Sequence, residues 1–134
     1  MATYNKFQAW PDYMVEPANL ATDQFTVFLT NSAPVATNSV LADITQIAYT
    51  NLSSRAMTTT SSSQTTGTYK LILAPITLTA SGAVATFRYF GIYDDTVAGD
   101  PLVCWCDYGT GITLSSGQTF VITPDQSNGL FSIT

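Results

Sequence analysis

Between Ala83 and Tyr93 the chain places large apolar side chains at odd and even positions alike. Side chains alternate across an extended strand. Phe87, Tyr89 and Tyr93 are therefore expected on one face, and Val84, Phe90 and Ile92 on the other with Arg88. A strand that is apolar on both faces must be covered on both, which puts it in the middle of a packed sheet. Leu102–Tyr108 repeats the signal after Asp94-Asp95-Thr96-Val97-Ala98-Gly99-Asp100-Pro101, which reads as a hairpin-like connection. These two segments are the expected central strands. Gly91, inside the first, marks a bulge or a close backbone approach.

Little in the chain competes with β-structure. Glu16 and four Lys and Arg residues are its whole stock of the charged residues that usually cover helix surfaces. One short helical turn is expected around Tyr4–Tyr13, limited by Pro11 and Pro17, so residues 1–22 read as an irregular N-terminal arm anchored by Trp10. Further strands are expected at Gln24–Thr30, Tyr69–Leu73, Ile76–Thr79, Ile112–Leu114, Phe120–Thr123 and Leu130–Ile133. Pro75 bends one pair or places it at an edge, and Gly109-Thr110-Gly111 reads as a turn. Val40–Tyr49 fits a strand, a short helix or a packed loop equally well. Residues 53–68, rich in Ser and Thr, read as a loop or edge segment, with a Thr-rich strand flanked by loop expected. So long an exposed tract is unusual within a compact domain and suggests a segment lying on a partner. About eight short strands in 134 residues, with no repeat, give an all-β fold: one domain, 1–134, built as a β-sandwich or jelly-roll-like barrel.

Charged residues make up only 10% of the chain, so its polarity rests on 12 Ser and 22 Thr. Hydroxyls cost less to desolvate than charges, and interface cores are depleted in charge. Such a surface suits burial against other subunits. Lys6, Arg55, Lys70 and Arg88 are too few and too scattered to neutralise a phosphate backbone or hold an anionic membrane. No partner nucleic acid or membrane is expected. No apolar run is long enough to span a bilayer, and Met1–Trp10 lacks the pattern of a signal peptide, so manufacture and use without Sec export is expected.

With no His in the chain, every triad or dyad that uses one is absent. There is no nucleophile elbow, P-loop or dinucleotide fingerprint. We expect no catalytic residues and no cofactor. Cys104 and Cys106 point the same way from a strand, a poor geometry for a disulfide, and read as free, buried thiols. A zinc site lacks two further soft ligands. Asp94, Asp95, Asp100 and Asp107 could converge on a Ca²⁺ ion, but the spacing of Ca²⁺ loops is missing, and turn capping is the expected role. Trp10, Tyr13 and Trp105 would serve a glycan-binding platform only if exposed; core or interface positions are expected.

Three segments carry a resemblance: Arg88-Tyr89-Phe90-Gly91-Ile92-Tyr93-Asp94-Asp95-Thr96, then Asp100-Pro101-Leu102-Val103, then Asp107-Tyr108-Gly109. Phe120-Val121-Ile122 and Asn128-Gly129-Leu130 follow, and Asp23–Thr30 with Leu41-Ala42-Asp43-Ile44 match more loosely. Over residues 20–134 the chain resembles a family of small virion structural proteins of tailed bacteriophages. It departs at residues 50–70, where the family often has a Gly-Tyr-rich stretch. The resemblance implies a homo-oligomeric capsid decoration or cement protein, located in the virion and bound to the major capsid protein or other virion subunits. Alternatives it leaves open are a neck or tail component, or a receptor- or glycan-binding module of a tail fibre or spike.

Overall fold

The apolar runs become the two longest strands of an all-β fold. The computed structural model describes residues 2–134. Its strands are β1 (Thr3–Lys6), β2 (Phe25–Thr30), β3 (Thr59–Thr65), β4 (Thr68–Leu73), β5 (Ile76–Thr79), β6 (Val84–Asp94), β7 (Leu102–Leu114), β8 (Thr119–Ile122) and β9 (Phe131–Ile133). A six-residue helix, α1 (Trp10–Val15), and a 3-10 turn, Leu41–Asp43, complete the list. The strands form three antiparallel sheets, ordered β1-β7-β6-β2, β3-β4-β9 and β5-β8. No helix among the described residues is long and apolar enough to cross a membrane.

Both faces of the four-stranded sheet are covered, as two-sided apolar strands require. One face packs Phe25, Val27, Leu29, Ile92 and Val103 against Leu71 and Leu73 of β4 and Leu78 and Ile122 of β5 and β8. The other buries Phe28, Tyr93, Leu102 and Trp105 under Phe7 and Ile44. Every residue of β2 is buried, although it lies at the sheet's edge. The following chain shields that edge: Val27 N–H donates to Arg55 C=O at 3.0 Å, Met57 N–H to Phe25 C=O at 2.9 Å and Ile47 N–H to Leu29 C=O at 3.1 Å. Val40–Tyr49 is accordingly a packed loop around the 3-10 turn, tied on by single bridges at Val40 and Gln46.

Two expectations fail along β6 and β7. Gly109-Thr110-Gly111 does not turn the chain; β7 runs unbroken through it for 13 residues. The glycines instead belong to a bulge: between the pairs Phe87–Ile112 and Tyr89–Asp107, one residue of β6 faces four of β7. Gly109 takes a left-handed φ of +95° there. The Arg88 guanidinium grips both oxygens of Asp107 at 2.8 and 2.9 Å, and Asp107 Oδ1 accepts the Gly109 N–H at 2.7 Å. The irregularity moves Phe87 to the face opposite Tyr89 and Tyr93, into the core with Val84 and Ile92. A strict period of two could not place it.

The N-terminal segment is not an irregular arm. β1 pairs with β7 as an edge strand of the main sheet, and Phe7 and Trp10 are fully or nearly fully buried. The Phe7 ring lies 4.5 Å from Trp105, and Trp10 packs edge-on against Phe25 and Phe131. Burial of these two large aromatics ties the segment to the sheet. The Ser/Thr tract divides into loop and strand: β3 forms a hairpin with β4 and is the edge of its sheet. At Ala74-Pro75 the chain leaves that sheet and enters the two-stranded one.

Candidate functional site

β8 returns across the main sheet and leaves an open cleft of about 580 Å³ beside it. Phe120 fixes the crossing, with its ring edge-on to Phe87, Phe90 and Tyr108 at 5.2, 5.5 and 5.7 Å. The floor is Phe90, Gly91, Ile92, Cys104 and Cys106, and the far wall is Val121–Asp125 with Leu130. Among the described residues, three of the six large apolar side chains left most exposed stand on this cleft: Tyr4 (47%), Tyr108 (41%) and Val121 (54%). Scattered apolar residues on a surface need no explanation; these three stand together around one cleft.

Gly91 serves the face opposite the cleft. A Cβ at that position would run into the Phe28 ring and the Cys104 carbonyl. Its absence leaves room for the ring that Phe28, its partner on β2, lays across β6.

The cleft is electrically quiet. Both thiols are free; Cys104 is buried and Cys106 half-buried. Burial pushes the Cys106 thiol up to about 11, and burial together with Cys106 pushes Cys104 higher still. Neither is a nucleophile near neutral pH. Tyr4, although nearly half exposed, has its hydroxyl end enclosed beside Cys104, and that burial raises it well above an ordinary tyrosine. The one carboxylate on the lining, Asp125, is occupied: it accepts the Ser127 and Asn128 N–H groups at 2.8 and 2.9 Å and the Asn128 side-chain amide at 2.8 Å. These bonds, led by that from the Asn128 backbone, hold it below the usual carboxylate range. The arrangement offers apolar area and hydroxyls.

The four aspartates singled out in the sequence are not brought together. Asp94 is fully buried; its Oδ1 caps the β6–β7 turn by accepting the Thr96 and Val97 N–H groups at 3.0 and 3.3 Å. Asp95 accepts the Thr26 hydroxyl at 3.2 Å. Asp100 takes a left-handed φ of +53° at the turn's end, and Asp107 sits at the bulge with Arg88. Among the described residues no three His, Cys, Asp or Glu side chains converge. Trp10 and Trp105 are buried and cannot form a stacking platform for a sugar. The exposed rim of the cleft escaped the sequence reading because Tyr4 stood in the supposed arm, and Tyr108 and Val121 look like any other strand residues. No protein-family model, curated protein or solved structure matches the chain.

Proposed function

We propose that this chain is a non-enzymatic structural subunit of a bacteriophage virion, a capsid decoration or cement protein that stabilises the shell through contacts with the major capsid protein or neighbouring subunits. The observation that carries the reading is the cleft rimmed by Tyr4, Tyr108 and Val121 on a chain with 10% charged residues. Aromatic, charge-poor patches are what interface centres are made of. Four polar residues behind the resemblance support it in a second way, because they have shape-keeping tasks. Asp94 caps the hairpin, and Thr96 Oγ accepts the Gln24 N–H at 2.8 Å, tying that hairpin to the start of β2. Arg88 and Asp107 pin the bulge. A motif spent on shape suits a protein whose product is a surface.

The test mixes purified protein with particles that lack it. Saturable binding with a raised disruption temperature is expected, and the double variant Tyr108→Ser, Val121→Ser should weaken binding at least about fivefold, the loss of a modest interface anchor. Binding confined to one vertex would move the protein to the neck or tail. Binding to host glycans without any effect on the shell would replace the cement reading.

A further inference from the structure

The geometry points to β3 as a self-association edge, on which a second copy of this chain adds its own β3 antiparallel about a twofold axis at Ser62.

β3 presents a longer edge than any other edge strand whose side is open: the β2 edge is shielded by residues 46–57, and β1, β5, β8 and β9 are four, four, four and three residues long. β3 has seven. The stretches of β6 and β7 that run beyond β2 and β1 carry the irregularities around Phe87 and Tyr108–Gly111. Thr66 and Gly67, at φ +50° and +82°, close the β3–β4 hairpin in a two-residue turn. Such a turn makes Thr65–Thr68 a hydrogen-bonded pair, and hydrogen-bonded pairs then alternate. Ser63 and Ser61 therefore direct their backbone groups to β4, and Ser62 and Gln64 direct theirs outward. Among the described residues those outward groups have no backbone partner outside the hairpin.

Bare edges normally carry protection: a Lys, a Pro, an inward charge or a bulge that twists the edge away. β3 has a bulge only at its start, between Thr59 and Ser61, and neither Lys nor Pro. No charged residue occurs from Ala56 to Tyr69. That neutrality lets a second copy approach. Two copies each carry a net charge of −5 and repel over most of their surfaces. Along β3 a copy meets no charge at all. About an axis at Ser62, Ser61 faces Ser63 of the copy, and the bulge between Thr59 and Ser61 ends the regular register on either side of that centre. A twofold pairing of this kind is self-complementary and closed. It would join the two small sheets into one of six strands. A seven-residue edge buries less than the 1,200 Å² or so of a stable interface, so the dimer is weak and concentration-dependent. The inference does not depend on the virion reading.

Sedimentation of the wild-type chain should show the mass rising from 14.4 kDa towards twice that value as concentration is raised to about 1 mM. The S61E/S63E variant sets glutamates opposite one another across the axis and should stay monomeric. The S61K/S63E variant sets each lysine opposite a glutamate and should restore the dimer. In both, the substituted position 63 faces Lys70 on β4 and position 61 faces Ile72, so the hairpin carries the same two substituted sites in each variant. As a measurement independent of folding in the variants, the Ser62 and Gln64 amides of the wild type should gain hydrogen-exchange protection with concentration. A wild-type chain that stays monomeric throughout, or a dimer that forms without protecting those amides or responding to the charge pair, overturns the inference.

Discussion

Asp94 lies fully buried at the end of β6, with one carboxyl oxygen accepting two backbone N–H groups and the other bonded to nothing. Burial pushes this carboxyl up to about 6, the Asp23 carboxyl beside it adding to the rise against the pull of the Thr96 N–H. A folded value above the ordinary one means that the folded chain holds the proton more tightly than the unfolded chain. The resulting stability is complete below about pH 4 and is lost as pH rises through 6. Two units correspond to about 3 kcal/mol as an upper bound. Asp43, Asp107 and Asp125, held below the usual range by hydrogen bonds, work in the opposite sense. The comparison is therefore with Asp94→Asn, which keeps the capping oxygen and removes the titration. Urea unfolding across pH 4 to 7 should show the wild type losing up to about 3 kcal/mol relative to that variant; parallel curves would remove the assignment. The thiols give a second residue-scale test. Both should be found by titration of the unfolded, unreduced protein, while the folded protein at neutral pH reacts slowly, Cys106 before Cys104.

β6 and β7 were legible as central strands from their two-sided apolar character, and their interior was not. The bulge depends on Gly109, Asp107 and Arg88 acting together across two strands, and no pattern within either strand announces it. Gly91 was legible as a bulge or a close approach, and it is the close approach. Gly91→Ala should destabilise the fold by about 1–3 kcal/mol or more through overpacking against Phe28 and the Cys104 carbonyl. An Ala substitution at Phe87, fully buried beside Phe120, should cost about 3–5 kcal/mol. Thermal unfolding measures both, and an unchanged midpoint for either would mean that β6 is not packed as described. β1 was missed for a different reason: four residues with one apolar side chain carry too little periodicity to signal a strand, and it is β7 that makes them one.

Across the whole molecule, the β class followed from local preference, and the division into three sheets did not. Sheet membership is decided by non-local pairings such as β1 with β7 and β4 with β9, which local composition does not encode. The cleft shares that origin, since it exists only where β8 crosses β6 and β7. Its electrical quiet fixes how attachment to a shell should respond to salt. Screening weakens contacts between exposed charges, so raising salt from 0.1 to 1 M should change the affinity for particles little; a steep loss would point to an electrostatic attachment at some other surface. The same long-range pairings have a consequence for how the protein is made. β2 is sheathed in the finished fold, yet its partner β6 is not complete until Asp94. At roughly 5–20 residues per second, a ribosome needs about 3–13 s to pass from Thr30 to Asp94. Through that interval Phe25, Val27, Phe28 and Leu29 stand on the nascent chain without a mate, and the hairpin of β6 and β7, the longest pairing that closes locally, is the natural seed on which the earlier strands then condense.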